Sequence, residues 1–248
     1  MNLVTLTARD LPDAWFQAVY NLLEIGREFI VNYGSYAEQK RLEYDYITIN
    51  ILYPGVRPLI PDIPPHYGIP NPVEPDYPDK YLHYLMEDDR KPGEYYTYGT
   101  YIKPQMYKII ERYKGHYKKT GGYRSNQECI IVGDWKDHLD MSDPPCCRQI
   151  DTRIQDGKLH FFIYFRSWDL WGGFPANLAG MQLLKEYMAM EIGVADGEMV
   201  VASKGLHLYN YVWELAQART GLKRSSALYL TAEELEEKGF AEIMRKEL

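Results

Sequence analysis

One stretch decides the fold of this chain: residues 144–177, which read PPCCRQIDTRIQDGKLHFFIYFRSWDLWGGFPAN. Asp156-Gly157 in its middle is a strong hairpin signal, because alternating residues flank the pair on both sides. The return strand is predicted over residues 159–165, and a Gly-Gly-Phe-Pro turn then opens a helix near Asn177. The hairpin is therefore expected to gather a thiol, a cation, a hydroxyl, a carboxylate and an amide: Cys146, Arg166, Ser167, Asp169 and Asn177.

Length and composition bound the class of protein. The 248 residues are 46% hydrophobic, which is enough for one large α/β domain or two small ones. A net charge of −7 argues against general nucleic-acid binding, although a few local arginines can hold a phosphate. Three cysteines make no disulfide framework, so reduced thiols and a cytoplasmic location are expected. No signal peptide and no membrane-spanning apolar run is visible, so no membrane association is expected.

Residue spacing predicts helices and strands on both sides of this stretch. Apolar residues at helical spacing predict helices over residues 10–30, 80–86, 104–119, 177–190 and 207–219. Alternation and β-branched content predict strands over residues 42–53, 128–135 and 198–202. Dense prolines make residues 54–78 a long irregular loop. A capping box at Thr231 predicts a further helix that runs to the C-terminus.

Four short motifs follow one another along the chain: Pro145-Cys146, Arg166-Ser167-Trp168-Asp169, Gly173-Phe174-Pro175-Ala176-Asn177 and His207-Leu208-Tyr209. In order and separation they resemble the motifs of the thymidylate synthase family. The resemblance covers residues 130–215, and the sequences FRSWDLW and SKGLHLY are similar to the archaeal branch. It implies an α/β (α+β) fold: one catalytic domain over residues 1–248, with a curved mixed β-sheet flanked by helices. It also implies a homodimer that packs through a sheet face.

The resemblance makes Cys146 the nucleophile that adds to C6 of a pyrimidine ring. A thiolate suits this step because it is soft and needs only a depressed pKa to be present at neutral pH. Arg166 would hold the nucleotide phosphate and lower the pKa of the thiol, and Ser167 would add a hydroxyl donor. Together these residues imply a pyrimidine nucleoside monophosphate as substrate.

The remaining motif residues are expected to orient the base, the sugar and the one-carbon donor. Asp169 would lie between base and donor, and His207 with Tyr209 would bind the sugar 3'-hydroxyl. Tyr98, in a Tyr-Gly element, would work with ordered water at the base. Asn177 offers one acceptor and one donor side by side, the pattern that uracil N3–H and O4 require, which favours uracil over cytosine.

Each of these residues also has a purely structural interpretation. Cys146 fits a buried structural thiol, since free cysteine is among the most buried residue types. Arg166 fits a strand-end arginine paired with Asp169, and Asn177 fits a helix N-cap. A packing role for Tyr98 is equally compatible with the sequence.

Several positions depart from the family's pattern. Glu128 and Cys129 stand where bacterial members carry the arginine pair that reaches the partner's phosphate, and Arg124 is the nearest arginine. The glutamate that the family uses to organise protons at the base has no matching position. Glu87 and Glu94 are the nearest candidates.

Three further differences concern the phosphate, the second cysteine and the C-terminus. Arg41 and Arg57 are additional phosphate candidates, with a solvated surface residue as the alternative for Arg41. Cys147 replaces a bacterial histidine and is expected to pack. The predicted C-terminal helix replaces the short tail that closes the donor site in the family.

The resemblance implies methylation of dUMP to dTMP, with 5,10-methylenetetrahydrofolate or a tetrahydromethanopterin analogue as donor. An alternative is a C5-hydroxymethylase acting on dUMP, dCMP or CMP. Ala176, small where bacterial members carry an aromatic residue, keeps that alternative open. A third hypothesis, motivated by the departures, is a nucleotide-binding homologue without catalysis. No metal-ligand spacing appears, so no metal is expected.

Overall fold

The computed structural model describes residues 1–32, 37–123 and 126–224. The ten strands of this part of the chain are β1 (Leu3–Ala8), β2 (Arg27–Ile30), β3 (Lys40–Glu43), β4 (Tyr46–Ile51), β5 (Cys129–Ile131), β6 (Cys147–Gln155), β7 (Lys158–Phe165), β8 (Trp168–Asp169), β9 (Ala195–Ser203) and β10 (Leu206–Tyr209). Its five α-helices are α1 (Leu11–Ile25), α2 (Tyr77–Met86), α3 (Tyr98–Thr120), α4 (Gly173–Ile192) and α5 (Trp213–Thr220). The chain therefore has the mixed α/β composition that the sequence predicts.

The larger sheet has six strands in the order β1-β4-β9-β7-β6-β5. β1 pairs with β4 and β7 with β9 in parallel, while the other neighbours are antiparallel, so the sheet is mixed as predicted. At its centre the predicted hairpin is confirmed: Asp156 and Gly157 have φ of 51° and 72°, which suits a tight two-residue turn. Register shifts at 147/149 and 159/161 mark bulges, which bend the strands that carry them.

A second sheet of four strands, in the order β2-β3-β10-β8, lies where β7 ends. β10 pairs in parallel with β8, and this register places His207 beside Asp169. On its other side β10 pairs antiparallel with β3, which sets Tyr209 opposite Arg41 and His207 opposite Glu43. Segments far apart in sequence therefore meet at this small sheet.

Helix α4 is the central helix of the core. Its buried residues occupy nearly every face, including Phe174, Leu178, Met181 and Met188, because the helix is covered on more than one side. It packs on α2, α3 and the strands β7 and β9. The indole N–H of Trp15 in α1 donates to the carbonyls of Leu170 and Trp171 at 3.0 and 3.1 Å, which anchors the loop before α4.

Several predicted boundaries are corrected by the structure. The helix predicted over 10–30 ends at Ile25, because Gly26 leaves the helical conformation and packs so closely on Leu22 that a Cβ would lie 2.5 Å from its carbonyl oxygen. The strand predicted over 42–53 is divided into β3 and β4. Helix α3 begins at Tyr98 rather than Pro104, and the proline lies inside it, where one intrahelical hydrogen bond is omitted. The strand predicted over 128–135 is confined to Cys129–Ile131.

The helix predicted over residues 207–219 is wrong in its first half. His207 and Tyr209 lie on β10, a short 3₁₀ turn follows at Asn210–Val212, and α5 begins only at Trp213. Pairing with β3 and β8 holds the segment extended, and this tertiary effect overrides the apolar spacing. Arg124 and the predicted C-terminal helix lie outside the described residues. Within the described ranges, no helix combines the length and the apolar character needed to cross a bilayer.

Candidate active site

Cys146 lies immediately before β6, opposite the end of β7. The backbone N–H of Arg166 donates to the Cys146 carbonyl at 2.8 Å, so the hairpin itself brings the two residues together. The thiol is half-buried. Its burial raises the pKa of Cys146, while the Arg166 guanidinium, and to a smaller extent that of Arg148, oppose the rise; the Asp143 carboxylate adds to it.

The side chain of Arg166 bonds mainly to the loop that carries the cysteine. Its Nε donates to the Pro145 carbonyl at 3.2 Å, and a terminal nitrogen donates to the Pro144 carbonyl. The same nitrogen lies 3.5 Å from the carboxylate of Asp143, which is 89% exposed. The expected alternative pairing of Arg166 with Asp169 is not what the structure shows. Half-buried Ser167 follows, in a segment that lies against Gly205.

Asp169 is engaged by the start of α4. One carboxylate oxygen accepts from the N–H of Trp171 at 3.2 Å, and the other accepts from Gly172 and Gly173 at 3.0 and 2.8 Å. These are the N–H groups that a helix start leaves without backbone partners. Asp169 therefore satisfies the N-terminus of α4, the task that the structural interpretation assigned to Asn177.

Asn177 lies inside α4, past its first turn, so it is not an N-cap. Its side chain is half-buried, and its Oδ1 accepts a hydrogen bond from the indole N–H of Trp168 at 2.8 Å. Trp168 is on β8, directly before Asp169. The short link between β7 and β8 therefore carries Arg166, and Trp168 directly after it bonds to the Asn177 amide.

His207 is buried on β10 and faces the same side as Tyr209, with their rings 4.7 Å apart at 82°. Nδ1 of His207 lies 2.8 Å from the Gly205 carbonyl, so it carries the proton and Nε2 is the acceptor. Nε2 is buried without a hydrogen-bond partner. Burial lowers the pKa of His207 to about 4, so the ring is neutral at physiological pH.

Tyr98 begins α3 and reaches the cysteine loop. Its hydroxyl accepts from the backbone N–H of Cys147 at 3.1 Å, which fixes the residue next to Cys146. Burial raises the pKa of Tyr98 well above its usual range, so the phenol stays neutral. Its ring also contacts Tyr81, Tyr84 and Tyr96. Tyr98 therefore packs in the core and also accepts a hydrogen bond from the cysteine loop.

Cys147 is fully buried, and burial strongly raises the pKa of its thiol, which agrees with the predicted packing role. The two adjacent cysteines thus have different environments. Cys146 borders the arginines and the surface, whereas Cys147 faces the core.

Other charged candidates are divided between the site and distant surfaces. Arg41 pairs with Glu43 at 2.6 Å beside β10 and is close enough to His207 to lower its pKa. Arg57 instead makes a two-bond ion pair with Glu186 of α4, at 2.6 and 2.8 Å. It is therefore occupied away from Cys146.

The two candidate glutamates bond to residues at the surface. Glu87 accepts from Lys103 at 2.6 Å, and Glu94 accepts from the Lys91 N–H at 2.8 Å. Glu128, which stands where bacterial members of the family carry an arginine, pairs with Arg112 at 2.9 Å. The carboxylate that does lie beside Cys146 and Arg166 belongs to Asp143.

The sequence interpretation missed four residues of this region: Asp143, Arg148, Tyr96 and Trp168. Arg148 follows Cys146 by two positions, and the period of a strand could have placed both side chains on one face. Tyr96 lies near Cys146. The pKa of its phenol is raised mainly by burial and to a smaller extent by the negative charge of the Cys146 thiolate. Trp168 occupies the third position of the Arg166–Asp169 motif, for which the sequence predicts no role. No sequence signal distinguishes Asp143.

These residues define an α/β protein with a cysteine and arginine cluster at one sheet end and a buried neutral histidine nearby. The sequence profile of the thymidylate synthase family matches residues 118–244, slightly more than half of the chain. The chain belongs to the thymidylate synthase family. Members of this family are one-carbon transferases that bind a nucleotide and use a folate co-substrate.

Individual relatives agree with this assignment at low identity. The chain is 24% identical over 214 residues to a protein of Methanosarcina acetivorans named "Putative thymidylate synthase", covering 86% of this chain and 92% of that protein. A protein of the same name from Methanosarcina barkeri is 28% identical over 141 residues, which cover 56% of this chain and 64% of the other. The thymidylate synthase of Listeria monocytogenes is 38% identical over 87 residues, 34% of this chain and 28% of that enzyme. The long matches support the archaeal branch.

Proposed function

We propose that the protein transfers a one-carbon unit to C5 of dUMP and so produces dTMP. The observation that carries this proposal is the half-buried Cys146 thiol beside the guanidinium groups of Arg166 and Arg148. C5 of a uracil ring becomes nucleophilic only after a nucleophile has added to C6, and a thiolate is suited to that addition. Family membership supports the same class of chemistry.

Cys146 would open the reaction. Its thiolate forms the S–C6 bond, and the electron pair of the C5–C6 double bond moves toward the C4 carbonyl, where Asn177 would hydrogen-bond. C5 would then bond to the one-carbon unit and lose its proton to water, while the bond between that unit and the donor nitrogen breaks. Addition of hydride to the resulting exocyclic methylene would accompany cleavage of the S–C6 bond, which returns the thiolate. Because burial disfavours the free thiolate, the nearby cations are needed to keep part of the thiol ionised.

The nucleotide would be held at both ends. Arg166, 30% exposed, and Ser167 would bind the phosphate. The unpartnered Nε2 of His207 would accept a hydrogen bond from the sugar 3'-hydroxyl, with Tyr209 beside it. Tyr98, next to the cysteine loop, would hold an ordered water at the base.

The start of α4 fits a folate-type donor, either 5,10-methylenetetrahydrofolate or a tetrahydromethanopterin analogue. When bound, the donor supplies the one-carbon unit and the hydride that reduces it to a methyl group. Gly172 and Gly173 let the helix start approach the Asp169 carboxylate closely, since a Cβ at either glycine would lie 3.3–3.5 Å from this side chain. Asp169 would bind the donor's ring N–H groups with the lone pairs that the helix start leaves free.

Tritium release from 5-labelled dUMP tests the proposed chemistry, because it reports loss of the C5 proton. The purified protein is incubated with labelled dUMP and each donor, and the product is then weighed by mass spectrometry. Release with a gain of CH₂ supports the synthase. Absence of release with every donor, in a protein that binds dUMP, would instead support the nucleotide-binding homologue.

A gain of CH₂O would identify a hydroxymethylase, and the same assay is run with dCMP and CMP. Ala176 was the residue that kept this alternative open. It is 5% exposed in α4, so its small side chain is part of the packing and does not by itself open space at the base. The methyl product is therefore the expected one.

The proposal extends to the assembly and location of the enzyme. The face of the large sheet opposite α4 carries exposed Ile131 and Phe162, and a homodimer would bury it. One catalytic domain spanning residues 1–248 and a cytoplasmic location, which keeps its free cysteines reduced, complete the proposal. Sedimentation of the wild type and of Phe162→Glu tests the dimer, since the charge should favour the monomer.

A further inference from the structure

Trp168 holds a fixed position against Asn177. Its ring is 3% exposed, stacks on Phe165 at 3.9 Å with an interplanar angle of 6°, and contacts Phe174 at 4.6 Å. The two phenyl rings fix the plane of the indole. Its N–H points at Asn177 Oδ1 at a distance of 2.8 Å.

This hydrogen bond determines which way the Asn177 amide faces. The oxygen and nitrogen of a carboxamide have nearly the same shape, so an unrestrained amide can exchange a donor for an acceptor by rotating. Rotation of Asn177 would turn its NH₂ group toward the indole N–H. Two donors would then face each other, and a buried N–H would lose its partner. The indole therefore favours one orientation of the amide.

We infer that Trp168 is a positioning residue that sets the choice between uracil and cytosine by fixing the orientation of Asn177. The inference rests on the proposed function. Uracil presents N3–H as donor and O4 as acceptor, whereas cytosine presents N3 as acceptor and N4 as donor. Oδ1 keeps a second lone pair for the uracil N3–H after accepting from Trp168, and the amide nitrogen donates to O4. Cytosine would require the rotated amide that the indole opposes.

Trp168→Phe tests this assignment, because it keeps an aromatic ring between Phe165 and Phe174 but removes the N–H. Affinities for dUMP and dCMP are measured by titration calorimetry on the full-length wild type and variant. The ratio of dUMP to dCMP affinity should fall roughly 2- to 12-fold, the range that one net hydrogen bond contributes. A general loss of packing should weaken the binding of dUMP and dCMP equally, and it would therefore leave the ratio of the two affinities unchanged.

Trp213→Phe is the matched control. Its indole N–H donates to the Leu208 carbonyl at 3.1 Å, so the variant also loses an indole hydrogen bond, but not one to Asn177. Its affinity ratio should equal that of the wild type. If Trp168→Phe folds and keeps the wild-type ratio, the inference is wrong.

A second measurement does not depend on folding of the Trp168 variant. In ¹⁵N-labelled protein, Asn177→Ala should move the indole proton resonance of Trp168 upfield and leave those of the other four tryptophans in place. A Trp168 resonance that stays put would contradict the hydrogen bond and the inference with it.

The affinity ratios also separate this inference from the proposed function. A wild type that binds neither nucleotide removes both. A wild type that prefers dUMP but releases no tritium, with a preference that Trp168→Phe relaxes, supports the positioning role and contradicts the proposed chemistry. A wild type that prefers dCMP contradicts both.

Discussion

The two ends of the candidate site are built in opposite ways. At the cysteine end, Cys146, Arg148 and Arg166 all come from one hairpin, and Arg166 is 30% exposed. At the histidine end, β3, β8 and β10 converge from three distant parts of the chain, and His207 is 3% exposed and neutral. The cysteine end is charged and formed by residues close together in sequence. The histidine end is buried and formed by strands that are far apart in sequence.

This difference indicates a division of work between the ends. The cysteine end provides a reactive group whose ionisation depends on nearby charges, so its substitutions should change rates and pH profiles. The histidine end provides a fixed neutral acceptor, so its substitutions should change stability and binding. The following predictions test that division, beginning with the largest expected effect.

Cys146→Ser should reduce tritium release by a factor on the order of 10³ or more, because a serine hydroxyl is not ionised at neutral pH. Binding of dUMP, measured by calorimetry, should persist. Cys147→Ala is the matched control one residue away: it removes a fully buried thiol and should lower the free energy of unfolding by about 0.5–3 kcal/mol with little change in turnover. Equal activity losses in both variants would contradict the division.

Arg166→Gln should weaken dUMP binding by roughly 10- to 150-fold, the range of a hydrogen bond to a charged group. It should also move the pH midpoint of thiol alkylation upward, since the Arg166 charge lowers the pKa of Cys146. Arg148→Gln should move that midpoint in the same direction by less, and affect dUMP binding little. Iodoacetamide alkylation rates against pH measure the shifts, and a downward shift in either variant would refute the electrostatic account.

The same contrast explains what the sequence could predict. The hairpin and its Cys146–Arg166 pairing depend on Asp156-Gly157 and local alternation, so both could be inferred from neighbouring residues. Apolar spacing predicts a helix for His207 and Tyr209, because it does not reveal that β3 and β8 hold the segment extended. Sequence patterns report local preference, and the histidine end is decided by pairing between distant strands.

Side-chain partners were harder to predict than backbone elements. The structural alternative for Arg166 pairs it with Asp169, but the turn after β8 commits Asp169 to the N–H groups of α4. Arg166 then bonds to the proline carbonyls and Asp143. The motif contains Trp168 but gives it no partner, since its role depends on the direction of one N–H bond.

His207 should make the stability of the protein depend on pH. Its folded pKa of about 4 lies below the usual value of 6.5, so the unfolded state binds the proton first as pH falls. Stability is fully present above pH 6.5 and is lost progressively toward pH 4. Between pH 7 and pH 4.5 the loss should be roughly 2–3 kcal/mol, from the energy per pKa unit.

His207→Gln should abolish this part of the pH dependence. Urea unfolding at several pH values compares the variant with the wild type and with His66→Gln, which changes an exposed histidine. The curves of the wild type and His66→Gln should run parallel, and that of His207→Gln should be flatter. Parallel curves for all three would show that the buried ring does not carry the effect.

The smallest expected effect concerns Thr97, which positions Tyr98 at the cysteine end. Thr97 is the N-cap of α3; its hydroxyl accepts from the Thr100 N–H at 3.3 Å and donates to the Glu87 carbonyl at 2.7 Å. Thr97→Ala should lower the free energy of unfolding by about 0.5–2 kcal/mol, the usual cost of a lost N-cap. Thr97→Ser keeps the hydroxyl and should cost less. Because Tyr98 is the first residue of α3, Thr97→Ala should also slow tritium release slightly, whereas equal destabilisation by Ala and Ser would show that the methyl group, not the cap, matters.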